Sequence, residues 1–346
     1  MVATTSDIKT RDVQIALIGE NTKVFRSRTW IRLRFELEYS LQKGTTANSY
    51  QIKAEKTAII DPPGECFSDN YLEALQGQID LQEIDYVVLG HFNANRGGTL
   101  RALLELAPQI TFVCSNPTSL EMQEFFGGDR ELKIIVVRRE DTLDLGRGHQ
   151  LKLMTAPTPR SPGGLLTYDP KTQILFSDKL FCAHVCGDRI FDEDSHIYSD
   201  DWRFYYDSIH AAQAKYVLST LDKIAELPAK FYATGNGPLV CEAMTELREL
   251  YRKWSEEQNA RNLKVALIYT SAYGNTATIA AAIANGLTKA GVAVESINCE
   301  IAKPEDIEQA IEKCDGFIIG SPTLGGHAPT QIQTALGTIL RSEEHT

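Results

Sequence analysis

Small and hydroxyl-bearing residues between a strand and a helix carry the clearest chemical signal in this sequence. Val265-Ala266-Leu267-Ile268-Tyr269 reads as a strand, and Thr270-Ser271-Ala272-Tyr273-Gly274-Asn275-Thr276 leads at once into a helix from Ala277. Such a turn leaves backbone N–H groups free to surround a phosphate, and the helix N-terminus adds partial positive charge. No Lys follows the glycine, so the run is not a nucleoside-triphosphate loop, and no G-x-G-x-x-G is present. A second loop, Ser321-Pro322-Thr323-Leu324-Gly325-Gly326, ends the strand Phe317-Ile318-Ile319-Gly320. In a doubly wound sheet of order 2-1-3-4-5, strands 1 and 3 flank the switch point, so both loops face one crevice. A phosphate loop beside a flat, polar-edged loop suits a monophosphate flavin.

A third strand end, Gly90-His91-Phe92-Asn93-Ala94-Asn95-Arg96-Gly97-Gly98, has the layout of a metal-binding loop with unsuitable residues. Metal binding needs imidazole or oxygen donors, and Arg and Lys offer neither at neutral pH.

The elements that must position these loops fall into two regions. Strands are predicted at 13–18, 49–53 and 57–61, before Pro62-Pro63-Gly64 stops the run. A helix at 69–78, a strand at 86–89, a helix near 98–106, a strand at 110–114, a helix at 117–126 and a strand at 133–137 follow. Further strands at 150–155, 164–168 and 173–177 precede a long loop, helices over 200–226 and the strand 231–234. Leu247, Leu250, Tyr251 and Trp254 sit at helical spacing in a bridging helix, 241–256, and the polar run after it reads as a linker. From Lys264 the order is strand 264–269, helix 276–289, strand 292–298, helix 304–313, strand 316–320. The boundaries that result are a first domain over 1–255, a linker over 256–263 and a second domain over 264–340. Residues 341–346, Arg341-Ser342-Glu343-Glu344-His345-Thr346, match the translation of a sequencing adapter and are expected to be non-native, with the natural protein continuing past Leu340.

A length of 346 residues accords with two domains, and 43% apolar with 23% charged residues is a globular composition. The net charge of −11 argues against general nucleic-acid or anionic-membrane binding. No run reaches the roughly 18 apolar residues of a membrane span, and the N-terminus lacks a signal-peptide core, so a cytoplasmic protein is expected. Cys66, Cys114, Cys182, Cys186, Cys241, Cys299 and Cys314 are scattered, and only Cys182 and Cys186 lie close, with no second pair to complete a zinc site. They read as thiols in a reducing compartment.

The loops at 271–276 and 321–326 resemble the FMN-phosphate loop and first isoalloxazine loop of the flavodoxin family, which assigns Ser271, Ala272, Tyr273, Gly274, Asn275, Thr276, Ser321, Pro322, Thr323, Leu324, Gly325 and Gly326 to FMN. Only three of that family's five strands are present, which leaves the third as an apolar edge that works against flavin retention, so FMN is the cofactor expected of the complete protein. With Gly44-Thr45-Thr46-Ala47-Asn48-Ser49-Tyr50, Thr57-Ala58-Ile59-Ile60-Asp61 and the altered metal loop upstream, the chain over 12–340 resembles the flavodiiron proteins. The resemblance implies an α/β fold: a metallo-β-lactamase-like αββα sandwich followed by a partial flavodoxin-like doubly wound parallel sheet. That family's H-x-E-x-D-H loop, later His, bridging Asp and last His fall here on His91, Asn93, Asn95, Arg96, Arg160, Lys179 and Asn236. Six of these seven positions differ from the family's ligands, so a diiron centre is not expected.

Arg96, Arg160 and Lys179 then face a vacated pocket, where they would either pair with Asp178 in a salt-bridge network or hold an anion. His184, His196 and His210 read as surface or hydrogen-bonded residues and His149 as a turn residue. Ligand-complete family members reduce dioxygen to water or nitric oxide to nitrous oxide with electrons arriving through FMN, as head-to-tail dimers. Photosynthetic members add a C-terminal flavin reductase domain that uses NAD(P)H, and some carry altered ligands like these. The resemblance therefore implies an oxidoreductase subunit of photosynthetic type, passing electrons from NAD(P)H or a reduced carrier through FMN toward oxygen in a homo- or hetero-oligomer with a ligand-complete paralogue. A non-catalytic regulatory partner of such a paralogue is the alternative. A metallo-hydrolase fits poorly, since the H-x-H-x-D-H zinc pattern is also absent.

Overall fold

A computed structural model describes residues 11–30, 43–127 and 131–343. The chain divides into two compact units, the first ending at Gln258 and the second starting at Asn259.

In the first unit, β1 (Arg11–Gly19), β2 (Thr22–Thr29), β3 (Thr45–Lys53), β4 (Thr57–Ile60), β5 (Ile84–Val88), β6 (Thr111–Ser115) and β7 (Ile134–Val137) form one sheet in chain order. Pairing is antiparallel from β1 to β4 and parallel from β4 to β7. The parallel steps pass through α1 (Ser68–Gln76), α2 (Ala94–Leu106) and α3 (Asn116–Phe126). Strands β8 (Glu140–Asp144), β9 (Gln150–Thr155), β10 (Leu165–Asp169), β11 (Ile174–Asp178) and β12 (Phe231–Thr234) form a second sheet, ordered β12-β11-β10-β9-β8. It is covered by α4 (Ser199–Tyr205), α5 (Ala214–Ile224) and α6 (Met244–Ala260).

Side-chain alternation along the strands divides the core into layers. Tyr50, Ile52, Ala58, Ile60 and Val88 pack between the sheets against Leu151, Leu153, Leu165 and Phe176. Their alternates Ile59, Val87 and Leu89 pack outward on Tyr71, Leu75, Leu100 and Leu103 of α1 and α2. Leu166, Tyr168 and Leu175 of the second sheet pack outward on Trp202, Val217, Leu221, Leu247 and Tyr251. Helix on sheet on sheet on helix is the αββα sandwich.

The second unit has β13 (Lys264–Tyr269), β14 (Ala293–Asn298) and β15 (Gly316–Gly320) in the parallel order β14-β13-β15, with α7 (Asn275–Lys289), α8 (Pro304–Lys313) and α9 (Thr330–Glu343). This is the 2-1-3 start of a doubly wound sheet. Phe317 on the edge strand β15 is 43% exposed.

The structure moves some expected boundaries. Helix α6 runs to Ala260, so residues 256–260 of the stretch read as a linker are helical; Glu256, Glu257 and Gln258 are polar but good helix formers. Helix α2 begins at Ala94 rather than near 98, because Asn93 Oδ1 caps the N–H of Arg96 at 2.9 Å. Gly97 and Gly98 lie inside that helix, where a Cβ would stand 2.5 Å from the Phe125 ring and 2.8 Å from Glu65. Close packing, not a turn, requires those two glycines. Strands β2 and β8 lie in stretches for which no strand was expected. Among the described residues, no helix is long and apolar enough to cross a membrane.

Candidate functional site

In the first unit His91, Asn93, Asn95, Arg96, Arg160, Lys179 and Asn236 all line one cavity of about 300 Å³. They come from the end of β5, the first turn of α2, the loop after β9, the end of β11 and the turn after β12. Strand ends of this kind are where α/β folds collect their polar groups.

A buried histidine–carboxylate hydrogen bond and a buried ion pair organise its floor. His91 Nδ1 lies 2.8 and 2.9 Å from the two carboxylate oxygens of Asp178. Arg96 Nη1 donates to Asp61 Oδ1 at 2.7 Å and to the His91 carbonyl at 2.7 Å. The Gly90 N–H donates to the same Asp61 oxygen at 2.9 Å. Both aspartates adopt left-handed backbone, with φ of 52° at Asp61 and 47° at Asp178, which Asp tolerates better than most residues. A Cβ at position 90 would stand 2.7 Å from Asp178 Cβ and 2.9 Å from Asp61 Oδ2, so only glycine lets the carboxylates approach this closely.

The electrostatics follow from burial and charge. Burial pushes the Asp61 carboxyl up to about 7, against the pull of Arg96. Burial and the neighbouring Arg96 charge bring His91 down to about 4. Burial acts to raise Asp178 as well, but His91, Arg96 and Lys179 outweigh it and hold this carboxyl below its ordinary value. At neutral pH the pair is thus a neutral imidazole donating Nδ1–H to an ionised carboxylate.

The expected network of Asp178 with Lys179, Arg96 and Arg160 is therefore corrected: Asp178 bonds His91, while Arg96 takes Asp61. Asp61, which the sequence placed only at a strand end, is the second buried carboxylate of this floor. Its signal was a carboxylate closing the apolar run Thr57-Ala58-Ile59-Ile60 before Pro62-Pro63. Arg160 makes no ion pair among the described residues and is exposed. Asn236 Nδ2 donates to the Thr46 carbonyl, and its N–H meets Cys182 Sγ at 3.3 Å. A Cβ at Gly64 would stand 2.3 Å from Asn95 Nδ2, so that side chain lies against the Pro63-Gly64 turn.

The other histidines divide. His184 lines the cavity, with Nδ1 2.8 Å from Thr45 Oγ1. His210, turned inward by a π-helical turn over Tyr206–His210, lies with Nε2 3.1 Å from the Lys179 carbonyl. Burial, and for each the charge of Lys179, brings both down to about 4. His196 is exposed. His149 does sit in a turn, but its side chain is wholly buried, with Nδ1 2.9 Å from Asp169 Oδ2. Burial pushes the Cys182 thiol up to about 12, which makes it a core thiol rather than a nucleophile.

In the second unit, Ser271, Ala272, Tyr273, Gly274, Asn275 and Thr276 form the β13–α7 turn. Gly274 has φ of 83°, and a Cβ there would meet nothing within 4 Å, so the turn is open outward. Among the described residues the N–H groups of Ala272 through Thr276 meet no protein acceptor, whereas Ala277 N–H is taken by Ser271 Oγ at 3.1 Å. The Ser271 N–H instead donates to Glu300 at 2.9 Å, and Thr270 Oγ1 lies 3.1 Å from the same carboxylate oxygen. Ser321, Pro322, Thr323, Leu324, Gly325 and Gly326 leave β15, the neighbour of β13. Gly325 and Gly326, with φ of 59° and 85°, make a two-residue hairpin turn closed by Leu324 and His327. Both loops thus leave the same edge of adjacent parallel strands.

Residues 45–232 match the family described as "ODP family beta lactamase". The putative diflavin flavoprotein A 6 of Nostoc sp. (strain PCC 7120) is 58% identical, over 97% of this chain and 59% of its own length. The chain thus spans less than two thirds of that curated relative. A solved structure described as the metal-soaked Flv1 flavodiiron core from Synechocystis sp. PCC6803 is 55% identical with a TM-score of 0.73, covering 96% of this chain and 83% of that one. A solved fragment, 1–254, of putative diflavin flavoprotein A 5 from Nostoc sp. PCC 7120 is 52% identical with a TM-score of 0.70, covering 72% of this chain and 98% of the fragment.

Proposed function

This chain belongs to the flavodiiron family, and from that premise we propose that it is an electron-transfer subunit of an oxygen-reducing flavodiiron assembly. It binds FMN through its second unit and relies on a ligand-complete paralogue for the metal chemistry. The observation that carries the reading is the contrast between the two sites. Among the described residues the N–H groups of Ala272 through Thr276 meet no protein acceptor, while the pocket at the family's metal position is occupied by the pairs Arg96–Asp61 and His91–Asp178.

Two irons do not fit that donor set. Asp61 and Asp178 are each taken by a hydrogen-bond donor, and Arg96, Arg160 and Lys179 bring only positive charge to the lining. At an effective dielectric near 20 a like-charge pair 4 Å apart costs roughly 4 kcal/mol, so each added cation meets a steep penalty. FMN does fit, with the residues from Ser271 to Thr276 around its phosphate and Ser321 to Gly326 beside its ring. When bound, it supplies one- and two-electron transfer. The protein's part is to hold the phosphate on the helix N-terminus and to shelter the ring.

Reducing one dioxygen to two waters takes four electrons and four protons, which is the task assigned to the partner's metal site. The test is to load the full chain with FMN, reduce it photochemically, and follow oxygen uptake with and without a ligand-complete flavodiiron protein. Transfer to the partner, with water as product only when both are present, is the expected result. Water formation by this chain alone, or reduced flavin that never passes electrons to the partner, would sink the proposal; the latter would leave the regulatory role. Metal analysis of the chain grown with added iron is expected to find no more than about 0.1 iron per chain, and a value near two would restore a self-contained diiron centre.

Glu300 bears on the flavin. Its carboxylate holds a phosphate-loop N–H and stands beside the place of a dianion. Glu300→Gln keeps an oxygen acceptor for Ser271 and Thr270 but removes the charge, so FMN should bind roughly 3- to 10-fold more tightly at low salt, with riboflavin unchanged. Equal gains for both flavins would show that the charge is not the cause.

A further inference from the structure

The floor of the pocket is built like a cation site that already holds a cation. Asp61, His91 and Asp178 each offer a ligand atom, all buried and all within 4.8 Å of one another. Of these three, only His91 stands at a position where the family places a metal ligand. The two carboxylates meet across Gly90, and each comes from left-handed backbone at a strand end. Arg96 Nη1 lies against two of the three, 2.7 Å from Asp61 Oδ1, 2.7 Å from the His91 carbonyl and 3.5 Å from His91 Nδ1.

We propose that the Arg96 guanidinium is the resident cation of a three-residue site formed by Asp61, His91 and Asp178, and that by occupying it Arg96 excludes a divalent metal. The charge arrangement supports this. The ligand atoms of the two buried carboxylates lie within 4.8 Å of one another, and the guanidinium donates to one of them, Asp61. A positive group is needed there, and a tethered one loses no translational freedom on binding. One imidazole and two carboxylates also form a donor set that suits zinc or cobalt. For a metal to enter, the guanidinium must leave Asp61, and His91 must carry its proton on Nε2 so that Nδ1 can bind. The inference concerns the first unit alone and does not depend on flavin binding.

The experiment is Co²⁺ uptake by the full chain, read by metal analysis after dialysis and by the visible absorption of bound Co²⁺. Wild type and Arg96→Lys, which keeps a cation in place, are expected to hold no more than about 0.1 Co²⁺ per chain, and Arg96→Ala about one. Adding Asp178→Asn to Arg96→Ala should return uptake to the wild-type level. Because Arg96→Ala leaves a buried carboxylate without its partner, it should melt earlier than wild type and be raised by Co²⁺, with no such rise in wild type. Wild-type uptake of one Co²⁺ that Asp178→Asn abolishes would overturn the proposal. So would folded Arg96→Ala that takes none, or Arg96→Ala that stays unfolded with Co²⁺ present.

Discussion

Replacing Arg96 by methionine is expected to destabilise the first unit by roughly 3–5 kcal/mol at pH 8, the cost of leaving one member of a buried ion pair alone. Methionine keeps most of the aliphatic volume, so the loss reports the guanidinium rather than a cavity. The effect has a built-in pH signature. Asp61 is already pushed up to about 7 by burial while Arg96 pulls it down. Without Arg96 its carboxyl rises further and is neutral at pH 6, where nothing charged is left unpaired. The cost should therefore shrink between pH 8 and pH 6. The double variant Arg96→Met with Asp61→Asn should recover at least about 2 kcal/mol of the loss at pH 8, since it removes the orphaned charge too. Trp30, Trp202 and Trp254 are the chain's three tryptophans and all precede Asn259, so their fluorescence in urea follows the first unit alone. A single variant within about 1 kcal/mol of wild type, or a double variant no better than the single, would show that the pair does not hold the pocket together.

That pair also marks where reading the sequence stops. The strand-helix alternation and the two loops at 271–276 and 321–326 were legible because local pattern sets them: apolar runs that end in Gly, Ser or Pro, and a turn that opens a helix. His91, Arg96, Arg160, Lys179 and Asn236 could be gathered from distant stretches of the chain only through likeness to a family, since nothing local joins them. Who pairs with whom was not legible at all. Asp61 and Asp178 belong to different sheets and meet only because Gly90 lets them. Both aspartates have left-handed φ, a backbone detail that no sequence pattern announces, and Asp178 bonds His91. Helix ends failed for a different reason. The side chain of Asn93 caps α2 ahead of the Gly97-Gly98 pair that implied a later start, and those glycines serve packing against Phe125 and Glu65.

Acid should weaken the first unit well before its carboxylates titrate in the ordinary range. His91, His184 and His210 are each brought down to about 4 by burial, from an ordinary value of 6.5. Between those two values the unfolded chain binds a proton at each histidine and the folded chain does not. Stability contributed by the three is therefore whole above pH 6.5, is lost as pH falls through the unfolded value, and levels off below the folded one. From pH 7.5 to pH 5 each histidine costs roughly 2 kcal/mol. Asp61 works the other way: raised to about 7, it binds its proton in the folded chain first and returns roughly 2–3 kcal/mol over the same interval. Asp178, held low, loses its contribution only at pH values below this window. The sum is a net loss of roughly 3 kcal/mol between pH 7.5 and pH 5, three opposed protons against one. His210→Gln, which replaces a titrating group by a neutral donor toward the Lys179 carbonyl, should leave a drop of only about 1 kcal/mol. Urea titrations of tryptophan fluorescence at both pH values measure both numbers. A wild-type profile flat across the interval, or a His210→Gln profile as steep as wild type, would mean that these histidines already exchange protons in the folded chain and that the pocket is wetter than its packing implies.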